Sequence, residues 1–149
     1  MHRLAEGAPA AGLLRRLISW IYDAMLVIGV VFGVALAAVL LYGEAIPATG
    51  WANALFRLIL LASVGLFYAG FIAHGGQTPG MRAWGIRALT DERQPIPLHL
   101  GLLRFLFGWV SLGLLGLGWL AVLWRSDGRA WHDRWTGTQV VRVPKGDGV

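Results

Sequence analysis

Three long apolar stretches separated by short polar ones dominate the chain. The first runs without a charge from Ala24 to Leu41, and helix-forming residues extend it back to Leu13. A helix over Leu13–Leu41 would be about 43 Å long, against a hydrocarbon core of about 30 Å. One end must therefore lie in the interface, and the charged end, Leu13 to Tyr22, is the natural candidate. Tyr42 to Gly50, with Gly43, Pro47 and Gly50, reads as a turn. Trp51 to Ala73 reads as a second span, with Trp51 as an interfacial anchor. Arg57 lies inside this span and can snorkel back to the headgroups.

His74 to Pro97 is polar and carries Gly75-Gly76-Gln77-Thr78-Pro79-Gly80 and Asp91-Glu92-Arg93-Gln94-Pro95, both turn signals. Leu98 to Trp124 is apolar again, interrupted by Arg104 and by Gly108, Gly113, Gly116 and Gly118. Two readings fit it: one crossing, or a bend near Gly113 to Gly118 and a return, re-entrant and shielded by the other spans. The glycines there also suit small-residue helix packing. In the polar tail, Thr138 to Val143 has strand composition, as has Ala83 to Leu89. Pairing the two would require both on one side of the membrane.

The expected fold is thus an all-α membrane protein. It has two full transmembrane helices, a third apolar, Gly-rich region that spans once or re-enters, and short cytoplasmic strand-like segments. Residues 1–11 read as a flexible lead, 12–143 as the membrane domain with spans near 16–41, 51–73 and 98–124, and 144–149 as a flexible tail.

Composition agrees. Of 149 residues 56% are hydrophobic and 14% charged, where a soluble domain carries about 25% charged. Glu6 and Pro9 precede an apolar run too long for a secretory leader, so this run is expected to stay as a span. The net charge of +5 would suggest nucleic acid in a soluble protein. Here the basic residues flank apolar runs, which points to anionic headgroups as partner and no nucleic acid. Arg3, Arg15 and Arg16 precede the first span, and Arg82, Arg87 and Arg93 follow the second. This bias puts the N-terminus in the cytoplasm. The basic tail (Arg125, Arg129, Arg134, Arg142, Lys145) favours the same side and therefore the returning reading of 98–124.

No cysteine is present, which excludes disulfides and thiol chemistry. Four scattered histidines have no metal-ligand spacing, and no nucleophile triad or phosphate loop occurs. No enzyme, cofactor or metal is expected.

Asp23 is the most unusual residue, since a carboxylate in hydrocarbon is costly unless paired, hydrated or protonated. It is either a headgroup-depth boundary residue or part of a buried polar network. Arg16 lies two turns before it, about 10 Å along the same helix face. That is too far for an ion pair, though both could address a shared partner. Asp133, in Trp131-His132-Asp133-Arg134-Trp135, is the other notable carboxylate. With the tail on the cytoplasmic side it can reach Arg16, and removing either partner should then lower stability alike. His74 and His132 are expected at the interface.

Four segments together resemble the RDD family of small bacterial multi-pass membrane proteins. They are Ala11-Gly12-Leu13-Leu14-Arg15-Arg16 with Asp23; Gly76-Gln77-Thr78-Pro79-Gly80-Met81-Arg82 through Arg87; Arg104; and His132-Asp133-Arg134-Trp135-Thr136-Gly137-Thr138 through Val141. The resemblance implies that the arginine and two aspartates that give the family its name are Arg16, Asp23 and Asp133. Arg15 and Asp127 are rival assignments, and Arg104 and His132 are secondary candidates. Met81 departs from the lysine common there. The resemblance further implies a location in the bacterial inner membrane and, as activity, transport of a cation or small solute with proton coupling. The partner would then be a monovalent cation or proton, and so small a chain would act as a homo-oligomer. The alternative is a non-enzymatic scaffold or partner subunit.

Overall fold

The computed structural model describes residues 8–114, 117–124 and 129–143. Two long helices form first. α1 spans Leu13–Tyr42 and α2 spans Trp51–Gly75. Neither contains proline, and each stops at a glycine in the left-handed region that only glycine adopts without strain. Gly43 (φ 85°) closes α1 and Gly76 (φ 68°) closes α2. Both helices are long and apolar enough to cross a membrane. Leu14, Ile28, Phe32, Leu40 and Leu41 of α1 are each about 70% exposed or more. A helix that is apolar on its outward faces needs lipid around it.

A short polar layer follows α2. α3 spans Pro79–Ala83, with Thr78 as N-cap accepting from Met81 N–H (3.2 Å) and Pro79 in the first turn. β1 is Ile86–Thr90 and β2 is Thr138–Arg142. The two pair antiparallel, from Ile86 opposite Arg142 to Thr90 opposite Thr138. The two stretches with strand composition therefore satisfy each other's backbone groups. The other edge of β2 is covered as well. Ala11 N–H donates to Val140 O (2.8 Å) and Arg142 N–H to Pro9 O (3.0 Å). Residues 9–11 are therefore not a free lead, because an open strand edge gains by taking them up. The lead's residues 1–7 and the tail's 144–149 lie outside the described residues.

The third apolar region is not one helix. α4 spans Leu98–Gly113 and α5 Leu117–Trp124, with the break at Leu114. α4, at about 24 Å, is shorter than a bilayer core. α5 packs back on α4 and on α6, Trp131–Trp135, so the chain returns to the end where β1 lies. Of the two readings of 98–124, a single helix or a bend and return, the broken pair matches the second.

Small-residue packing occurs within the expected glycine run and also outside it. A Cβ at Gly118 of α5 would run into the Ser111 side chain of α4, with Ser111 Cβ at 2.9 Å. A side chain at Gly101 would press on Ala69 of α2 at 3.3 Å, and one at Gly65 on Phe105 of α4 at 3.3 Å. This close approach joins α2 to α4, whereas a Cβ at Gly113 would meet nothing within 4 Å. The buried apolar core lies at the polar-layer end. Ile72, Met81, Ile86, Ile96 and Val140 meet there, with Ala11 and Ala88.

Candidate functional site

Two buried polar centres tie this layer to the membrane helices. The first is built on Asp133, which is fully buried. As the third residue of α6 it accepts from the helix's own N-cap amide, Ala130 N–H, at 3.1 Å. Its Oδ2 also accepts from Arg16 Nη1 of α1. Its Oδ1 is ion-paired with Arg104 Nη2 of α4, a contact off the hydrogen-bonding direction. The other arms of both guanidinium groups are spent locally. Arg16 Nε donates to Ala11 O (2.9 Å). Arg104 donates to Thr138 Oγ1 and, at 3.4 Å, to the Tyr68 hydroxyl. One carboxylate thus joins α1, α4 and α6, while the arginines add the residue 9–11 edge, β2 and α2.

Burial alone would raise the Asp133 carboxyl, but Arg104 and Arg16 outweigh it and hold the group below the ordinary carboxylate range. His132 is also buried, with Nε2 at 3.4 Å from Asp133 Oδ1. Loss of solvent lowers its pKa to about 4, against the pull of Asp133 and with help from Arg104 and Arg16. It is neutral at pH 7. His132, expected at the interface, is buried: α6 turns its ring into the cluster. His74, in contrast, is exposed at the end of α2, its Nδ1 2.9 Å from Gly70 O.

The second centre is Asp23. Its Oδ2 accepts from Thr78 Oγ1 and its Oδ1 from Gly80 N–H (2.7 Å). The carboxylate thus caps the first turn of α3 from outside. Gly80 is required here, because a Cβ would run into Ser19 O and lie 2.9 Å from the Asp23 carboxylate. Gln77 completes the motif: Nε2 donates to Ile86 O (2.8 Å) and Oε1 accepts from Arg87 Nη2 (3.2 Å). The Gly-Gln-Thr-Pro-Gly segment is therefore a lock between α1, α3 and β1.

Asp23 and Arg16 do not share a partner. Each faces its own, Thr78/Gly80 and Asp133, two turns apart on one helix. Arg15 is exposed and donates to Trp84 O (3.0 Å), so it is outside the cluster. The rival Asp127 lies outside the described residues. Sequence reasoning ranked Arg104 second, although it is as central as Arg16. It missed Thr138 and Tyr68, and the hint was an arginine nearly two turns inside an apolar helix, which needs partners from several elements. Among the described residues no group of His, Cys, Asp or Glu is arranged to hold a metal.

Comparison with protein families gives a match to the RDD family over residues 10–137. The chain belongs to the RDD family. The matched stretch contains every residue of both centres except Thr138. Comparison with curated proteins finds no match, nor does comparison with solved structures. Family membership and the lipid-requiring surface of α1 make this RDD protein a membrane protein.

Proposed function

We propose that this RDD protein is a non-enzymatic, multi-pass protein of the bacterial inner membrane that acts as a scaffold or partner subunit. Its N-terminus and the β1–β2 layer face the cytoplasm, with α4 and α5 as a re-entrant pair. The observation that carries this reading is that both oxygens of each aspartate face fixed partners. Asp133 is held by Arg16, Arg104 and Ala130 N–H, and Asp23 by Thr78 and Gly80 N–H. A carboxylate that relays protons or cations must exchange partners, whereas these hold a layer in place. The positive bias of Arg15, Arg16, Arg82, Arg87 and Arg93 supports the orientation.

The direct test is cation and proton flux in proteoliposomes. The scaffold reading expects wild-type flux equal to that of protein-free vesicles. One feature favours a second reading, transport of a cation or small solute by an oligomer: Asp23 and Ser19 line a chamber between α1 and α4. Flux above the empty-vesicle level that Asp23→Asn abolishes would replace the first reading by the second. Impermeant labelling of single cysteines at Arg87 and Arg142 tests the topology, and opposite accessibilities would sink it.

A further inference from the structure

α3 is fixed to α1 at the point where the apolar part of that helix begins. Asp23 holds it there through Thr78 and Gly80. The charge-free run that follows, Ala24 to Leu41, is about 27 Å long, close to the depth of a hydrocarbon core, about 30 Å. Tyr22 therefore stands at the boundary between hydrocarbon and headgroups, and Phe71, near the end of α2, lies at the same end. Between these two rings and α3 is an open-sided cavity of about 350 Å³, lined by Tyr22, Phe71, Gln77, Pro79, Arg82 and Ala83. Its one charged group differs from the arginines of the Asp133 cluster. Arg82 is exposed, and its side chain has no hydrogen-bond or ion-pair partner among the described residues. Tyr22 and Phe71 are 51% and 41% exposed, so rings and guanidinium alike face outward. No carboxylate lines the cavity. Asp23 adjoins Tyr22 in sequence but turns both oxygens to α3. Behind the wall, Gln77 Oε1 accepts from the guanidinium of Arg87 (3.2 Å), which adds a second positive charge.

We propose that this cavity is a binding site for the phosphate headgroup of one anionic bilayer phospholipid, held by Arg82 between the Tyr22 and Phe71 rings. Three observations select this occupant. A free guanidinium is the group that pairs a phosphate through two donors at once. The cavity lies at headgroup depth, with aromatic rings of the kind that sit at that boundary. The wall also has no carboxylate to receive an ammonium, so a zwitterionic headgroup leaves its positive end unpartnered there, beside two arginines. A second copy of this chain would bring the same positive layer and is disfavoured for that reason. The lock of Asp23 on Gly80 sets α3, and with it Arg82, at a constant height on α1, which makes this a site rather than a general attraction to headgroups. The proposal goes beyond the scaffold reading and does not depend on it.

Arg82→Gln supplies the test, because it removes the charge without breaking a contact. Arg142→Gln is the control: Arg142 is also an exposed arginine of the layer whose side chain has no partner among the described residues, but it does not line the cavity. The two variants carry the same net charge. The purified full chain, delipidated in mild detergent, is titrated with phosphatidylglycerol, with phosphatidylethanolamine of the same acyl chains, and with inorganic phosphate. Binding is read by native mass spectrometry, and folding by the unfolding midpoint. The expected result is one retained phosphatidylglycerol in the wild type and in Arg142→Gln. Affinity should be about tenfold weaker in Arg82→Gln, and equally so for phosphatidylethanolamine on the wild type, a difference of about 1.4 kcal/mol. Equal losses in the two variants would show a diffuse charge effect and overturn the proposal. So would equal binding of the two lipids, displacement of the lipid by inorganic phosphate, or a lowered unfolding midpoint in Arg82→Gln.

Discussion

Replacing Asp133 by asparagine removes the one carboxylate that faces both Arg16 and Arg104, and it leaves two guanidinium groups that are 5% and 2% exposed. The amide oxygen can still accept from Ala130 N–H or from Arg16, but its NH2 then points donors at donors. Removing one member of a buried ion pair in this way costs about 3–5 kcal/mol. Arg16→Gln is a different perturbation. It removes the Ala11 and Asp133 contacts but leaves Arg104 and Asp133 as a one-to-one pair, so the loss is that of charged hydrogen bonds, about 1–3 kcal/mol. The equal losses expected from sequence for an isolated Arg16–Asp133 pair are thus replaced by an asymmetry, whose cause is Arg104. In the double variant the second substitution removes an unneutralised charge, so its cost should fall well below its cost alone. Equilibrium unfolding by SDS titration in a fixed detergent, followed by tryptophan fluorescence, measures all three; Trp131 and Trp135 of α6 flank the site. A loss for Arg16→Gln equal to that for Asp133→Asn, or strict additivity, would refute the shared clamp.

Three further outcomes follow from the structure. His132 has its pKa lowered from 6.5 to about 4 in the folded protein, so between these values the unfolded chain binds more protons and stability falls as the pH falls. The wild type should lose up to about 3 kcal/mol over that window, and His132→Gln should flatten the pH profile of unfolding there; an unchanged profile would remove His132 from the effect. Gly80→Ala should destabilise by about 1–3 kcal/mol, because its Cβ meets Ser19 O and Asp23. Gly108→Ala should instead be neutral or stabilise by up to about 1 kcal/mol, since it enters open space in a helix, and unfolding midpoints of the same sign for the two would count against the packing described.

The spans were readable because α1 and α2 are long, free of proline and bounded by Gly43, Pro47 and Gly76. The pairing of 86–90 with 138–142 was legible from composition together with the positive charge of the tail, two signals that agree only if 98–124 returns. The break was legible from Gly113 to Gly118, and α4 ends at Gly113 with its turn at Leu114, inside that stretch. Residues 9–11 were misjudged. Ala-Pro-Ala-Ala has no strand signature, and its place at β2 is decided by the partner edge rather than by its own composition.

The partners of Asp23 show where helical spacing stops being informative. Two turns of α1 put Arg16 and Asp23 on nearly one face, which suggested a common ligand. Yet a face is shared by whatever packs along it, and here two separate turns do so. Asp133 enters from α6 at the level of Arg16, and the amide of Gly80 enters from α3 at the level of Asp23. Both turns offer the complementary group: α6 brings a carboxylate to a guanidinium, and α3 brings an N–H and a hydroxyl to a carboxylate. The charges on α1 are thus addressed singly, and each specifies which short helix docks at that level. Exchanging them would set Asp133 against a carboxylate and the Gly80 amide against a guanidinium, so the order Arg16 then Asp23 fixes the order in which α6 and α3 lie along the helix.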